Sequence, residues 1–204
     1  MNKSKSTLKL THYLTAGHSP ARYGNVFGRE DVGGRARLRV GLDGAQDAAV
    51  AALANHLRGP FQLLYVLHAT RTGAELGRYE SPDLTANAVQ AFLHQFGRFL
   101  CEDSRHDLWL RSHDDDATIV LDRHNLIYAY GPLQALEAVL KSLGVRESES
   151  PTVPDPHTHH YHQEWDQTEE EILRHFDWHL KPLRPADVQF DDSGPGQQRS
   201  DTDR

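Results

Sequence analysis

The sequence predicts an α+β fold, a mixed or mostly antiparallel sheet with helices packed against it, on three observations. Short period-2 segments alternate with apolar stripes at helical spacing between residues 34 and 145. Three consecutive strand-like segments there are joined by turns too short for anything but antiparallel pairing. One further amphipathic segment follows a proline-rich stretch and reads as a helix docked back onto the core.

Structure is expected to begin at residues 35–42, where Ala36, Leu38, Val40 and Leu42 alternate with Arg35, Arg37, Arg39 and Gly41. That pattern makes a strand with one buried face and one arginine-lined face. Asp43 with Gln46 has the spacing of a capping box, Val50, Leu53 and Leu57 supply the helical stripe, and Gly59-Pro60 ends it. Residues 61–69 are apolar on both faces, the signature of an interior strand. Residues 75–80 form a weaker strand, and Ser81-Pro82-Asp83 leads into a helix with Val89, Phe92, Leu93, Phe96 and Leu100 on one side.

The next strand, 107–112, turns Leu108 and Leu110 inward and Trp109 and Arg111 outward. Strands 118–121 and 126–130 close around Asp122-Arg123-His124-Asn125, residues that suit a tight loop. Gly131-Pro132 opens a helix striped with Leu133, Leu136, Leu140 and Leu143. The predicted order is β-α-β-β-α-β-β-β-α.

The flanks read differently. Residues 1–33 show no period and are expected to be a basic, irregular N-terminal arm. Residues 146–165 form a Pro- and His-rich linker. Residues 166–190 carry the docking helix, with Thr168 and Glu171 as its capping box and Ile172, Leu173, Phe176 and Leu180 as its stripe. Residues 191–204 are polar and expected to be disordered.

Composition narrows the function classes. The net charge of -7 hides an asymmetry, since residues 1–40 hold eight Lys or Arg against Glu30 and Asp31. That stretch is net +6, so the rest sums to -13. A basic arm without interleaved aromatics is a poor nucleic-acid binder, so nucleic acid is not expected as a partner. The mean hydropathy is -0.65 and the longest apolar run is residues 61–69, far short of the roughly 20 residues a bilayer requires. Cys101 is the single cysteine, which fits a reducing, cytoplasmic setting and a small buried side chain. There is no phosphate-cradling loop, no Gly-x-Ser-x-Gly elbow and no cysteine pair for a zinc ribbon.

One run carries chemistry. His157, His159, His160 and His162 fall within six residues, flanked by Asp155 and Asp166. Imidazoles two or three positions apart can converge on a divalent transition metal such as zinc. The spacing is similar to the His-x-His-x-Asp-His signature of metallo-β-lactamase-type hydrolases, with Tyr161 at the position of the carboxylate. The likeness spans these six residues, and no family membership is read from it. Asp114, Asp115 and Asp116 after His113 read as an exposed turn, because consecutive side chains diverge.

Two functions remain. The first is a non-catalytic cytoplasmic binding or accessory module acting through protein–protein contacts on its acidic body. The alternative is a metal-dependent hydrolase using the 157–162 histidines, with water on the ion as nucleophile.

Overall fold

The computed structural model describes residues 8–14 and 17–187. The order of elements between 34 and 145 is the one the sequence predicts: β4 (Arg35–Gly41), α1 (Gln46–Asn55), β5 (Phe61–Leu67), β6 (Gly77–Glu80), α2 (Ala86–Glu102), β7 (His106–Ser112), β8 (Ala117–Leu121), β9 (Leu126–Tyr130) and α3 (Leu133–Ser142). Three strands precede them, β1 (Leu10–Leu14), β2 (Gly17–Pro20) and β3 (Val26–Val32). Beyond α3 come β10 (Arg146–Glu147), β11 (His157–His159), α4 (Asp166–His175) and β12 (His179–Lys181).

The main sheet has nine strands in the order β10-β3-β4-β9-β8-β7-β5-β6-β12, antiparallel except where β10 runs parallel to β3. Period-2 alternation gives it two faces. One row across the strands, Val40, Ile127, Leu121, Leu108, Tyr65 and Tyr79, is buried against the helices. The adjacent row, Arg39, Tyr128, Val120, Trp109, Leu64 and Glu80, lies on the opposite face. Val50, Leu53, Val89, Phe92, Phe96, Leu136 and Leu140 supply the helical side of the core. No helix among the described residues is long and apolar enough to cross a membrane.

Several sequence expectations change. The segment expected to be an irregular arm contributes three strands, and β3 is a full member of the main sheet with Phe27 buried against Val40. Strands such as Gly-His-Ser-Pro have no hydrophobic period, so only their pairing partners make them strands. Asp43 does not cap α1. Its Oδ1 accepts the N–H groups of Tyr23 and Gly24, while Ala45, in a left-handed conformation, begins the helix without a side-chain cap. Helix α2 begins at Ala86, capped by Thr85, so Pro82 lies before its first turn. The Thr168–Glu171 capping box is absent too, because α4 already starts at Asp166. It ends at His175, and Leu180 belongs instead to the edge strand β12, which pairs with β6.

The docking of α4 is carried by more than its apolar side. Ile172 is buried, and Phe176 just past the helix stacks on Phe92 with ring centroids 5.6 Å apart. Glu169 is buried with it, its Oε2 accepting from Arg105 Nη1 at 2.8 Å and its Oε1 from the hydroxyls of Thr70 and Thr72. Residues 191–204, expected to be disordered, lie outside the described residues.

Candidate metal centre

The site is built by the β8–β9 turn. Asp122 accepts the backbone N–H groups of His124 and Leu126 on Oδ1 at 2.9 and 2.8 Å, and Asn125 takes a left-handed φ of 62° to close the loop. This arrangement turns the His124 ring back onto the same carboxylate. Nδ1 of His124 donates to Asp122 Oδ2 across 3.1 Å, which leaves the lone pair on Nε2. Tyr128 reaches the same Oδ2 through its hydroxyl at 3.3 Å. Burial pushes the Asp122 carboxyl up, but the hydrogen bond from His124, the Leu126 N–H and Lys9 bring it net below its ordinary value. It is a carboxylate held ionised beside an imidazole.

The other face of the site comes from the linker. Its polypeptide crosses the ends of β3 and β4 where two glycines leave room. A Cβ on Gly28 would meet the Ser150 backbone N at 2.5 Å, and one on Gly41 would overlap the Tyr23 and Pro151 side chains. The chain then forms β11 against β1, with Leu10 opposite His159 and His12 opposite His157. Alternation along β11 puts His157 and His159 on one face.

Those two rings meet His124. Centroid distances are 5.3 Å for His124–His157, 4.9 Å for His124–His159 and 5.1 Å for His157–His159, close to an equilateral triangle. One nitrogen from each lies within 4.8 Å of the other two. His157 donates from Nδ1 to the Pro154 carbonyl at 2.9 Å, so its Nε2 also carries a lone pair. Both nitrogens of His159 are buried with no hydrogen-bond partner. Burial first, then the electrostatic influence of the neighbouring His124, Arg123, His157 and Lys9, holds His159 down to about 3. It is therefore neutral, the form in which imidazole binds a metal.

Tetrahedral zinc with Zn–N bonds of 2.0–2.1 Å needs nitrogens about 3.4 Å apart. The triangle would have to contract by no more than about 1.4 Å. Two tautomers are fixed by acceptor-only partners and the third imidazole is unpaired, so the donor set fits a transition metal.

Of the four histidines singled out in the sequence, the fold brings two into this group. His160 and His162 lie elsewhere, on the side facing β1 and the segment before it. Nε2 of His160 lies 2.8 Å from the Thr11 hydroxyl, and Nε2 of His162 donates to the Leu8 carbonyl at 2.9 Å. The third member, His124, stands 33 positions upstream of His157 in a turn whose one local signal is the Asp122-x-His124 pattern. The acidic turn after His113 holds a different bond, with Asp115 accepting from Arg58 Nη2 at 2.6 Å. Cys101 is packed near the core with its thiol pushed up to about 12 by burial, consistent with an unreactive side chain.

A cavity of about 500 Å³ is bordered by His124, though not by His157 or His159, together with Asn125, Lys9, Tyr23, Asp43 and Gln46 among others. Lys9 is buried, its ammonium donating to the carbonyls of Leu100 and Asp122 at 2.7 and 2.9 Å. It ties the segment before β1 to both α2 and the turn that carries His124.

No protein-family model, curated protein or solved structure matches the chain. The functional reading therefore stands on the geometry of the site.

Proposed function

We propose that this protein binds a divalent transition metal, zinc in the first instance, through His124, His157 and His159, and uses it in metal-dependent hydrolysis. The convergence of three imidazoles, two with Nε2 lone pairs set by their own hydrogen bonds, carries the reading. With a metal bound by these three imidazoles, a fourth position would be left for water, whose pKa the ion would lower to about 7. The cavity against His124 offers room for a substrate. The second reading is a non-catalytic binding or accessory module acting through protein contacts. It draws support from Trp109, 37% exposed on the sheet face opposite the helices.

Elemental analysis of untagged protein, purified without an immobilised-metal column, tests the first reading. It predicts about one zinc, iron or manganese per chain, lost in the His124→Ala and His159→Ala variants. Less than a tenth of an equivalent, together with no thermal stabilisation by added zinc, overturns it. Bound metal with no metal-dependent turnover on a panel of ester, amide and phosphate substrates overturns the hydrolytic half and favours the second reading.

A further inference from the structure

The sheet face that the helices leave open carries a second, chemically distinct array. Arg35, Arg37 and Arg39 of β4 stand beside Tyr128 and Tyr130 of β9, with Arg39 opposite Tyr128 in register. The Arg37 guanidinium lies 4.4 Å from the Tyr128 ring centroid and donates to the Tyr130 hydroxyl at 2.8 Å. Arg35 lies 5.4 Å from the Tyr130 centroid. Tyr128 is followed in its row by Val120 and Trp109, so Tyr and Trp are two strands apart, roughly 10 Å. Arg111 neighbours Trp109 on β7, and both border a shallow groove of about 250 Å³ with Gln62, Leu64, Glu80 and Thr118.

Carboxylates on this face are already engaged, Asp107 beside Trp109 among them, accepting from His68 Nε2 and the Arg123 N–H. Glu30 is taken by Arg37 at 2.5 Å and Glu80 by Lys181 at 2.5 Å. Asp116 lies 3.8 Å from Arg111 and is largely solvent-exposed. Arg35 and Arg39 have no carboxylate partner among the described residues. A cationic patch selects an anionic partner; the acidic body of a second copy of this chain, net -7 overall, meets the charge but offers Trp109 no base to stack on.

We propose that this face binds single-stranded nucleic acid around Trp109, two strands away from Tyr128, whose hydroxyl belongs to the Asp122–His124 site. Unpaired bases stack on Trp109 and over the neighbouring groove, and phosphates lie along Arg35, Arg39 and Arg111. Open sheets with aromatics and cations in neighbouring rows bind two or three splayed bases in this way. A duplex hides the base faces that Trp109 would stack on, and an oligo-glutamate peptide offers it no aromatic ring.

Fluorescence anisotropy on the full chain tests this with four labelled probes: single-stranded oligo-dT, single-stranded oligo-rU, a DNA duplex of the same length and an oligo-glutamate peptide. Single strands should bind saturably at 50 mM NaCl and lose roughly twentyfold in affinity at 200 mM if three phosphates are engaged. Trp109→Ala should cost about tenfold. Arg39→Glu and Arg111→Glu should each cost a similar factor, and Lys3→Ala/Lys5→Ala should change little. Circular dichroism establishes that each variant is folded, and the exposed Arg111 position keeps the test open if Trp109→Ala is not. Absence of single-strand binding at 50 mM, tighter binding of the duplex or the peptide, or binding lost with Lys3 and Lys5 but kept in Trp109→Ala each overturn the proposal.

Discussion

Nδ1 of His124 donates a hydrogen bond to the Oδ2 of Asp122, two residues before it, across 3.1 Å inside a four-residue turn. The same carboxylate holds the turn's backbone N–H groups, so a single side chain sets the loop, the ring orientation and the tautomer. Asp122→Asn keeps the shape but can no longer accept on both oxygens. Zinc affinity, measured by competition with a chromophoric chelator, should fall about 10- to 100-fold. Unchanged affinity would show that the ring is oriented by its packing alone.

The two halves of the histidine run should behave differently. His157→Ala and His159→Ala should abolish stoichiometric zinc, whereas His160→Ala and His162→Ala should retain it. In the unaltered protein, zinc at 100 times its dissociation constant should stabilise the fold by about 2.7 kcal/mol. Differential scanning fluorimetry across the four variants separates the pairs, and equal loss in all four would point to adventitious chelation by the run as a whole.

Arg105 and Glu169 are both fully buried and are joined at 2.8 Å, with Asp103 bridging the guanidinium from the other side. Removing Glu169 takes a buried carboxylate from Arg105, which keeps Asp103 and Asp166, and leaves the Thr70 and Thr72 hydroxyls without their acceptor. Glu169→Ala should cost about 3–5 kcal/mol in urea unfolding, far more than loss of an exposed pair such as Arg174–Glu170. Because Glu169 is on α4 and Arg105 precedes β7, hydrogen exchange should rise first along α4.

His106 packs between Tyr65 and Phe99, with centroids 5.1 and 4.6 Å away. Burial, then the charges of Lys9 and Arg105, hold its imidazole well below the ordinary 6.5. The unfolded chain therefore takes up this proton first. The contribution of His106 is complete above pH 6.5 and declines as pH falls, by at most about 1.4 kcal/mol per pH unit. His106→Phe should flatten the stability profile between pH 7 and 5 relative to the unaltered protein. Urea midpoints that fall in parallel for both proteins would contradict this.

At Gly41 the linker packs directly on the main sheet. Gly41→Val would drive a side chain into Tyr23 and Pro151 and displace the polypeptide that leads to His157. Zinc affinity should drop at least tenfold, alongside a loss of stability of about 1–3 kcal/mol. Full affinity in this variant would mean that β11 holds its position without the segment before it.

Local patterning alone specifies the middle of this protein. The period-2 rows of β4, β5, β7, β8 and β9 and the helical stripes of α1, α2 and α3 need only burial on one face to be written into the chain. Two of the three site histidines, His157 and His159, are legible in the same way, because a dense His run is visible without a fold. The rest depends on partners distant in the chain. Strands β1, β2, β10, β11 and β12 are short and polar, and exist because a neighbour offers hydrogen bonds. His124 joins the site because the β8–β9 turn ends beside β11. Arg39 acquires an aromatic neighbour because antiparallel register sets Tyr128 opposite it. Apart from the β1–β2 hairpin, those are relations between residues about 30 to 150 positions apart, which no local period encodes.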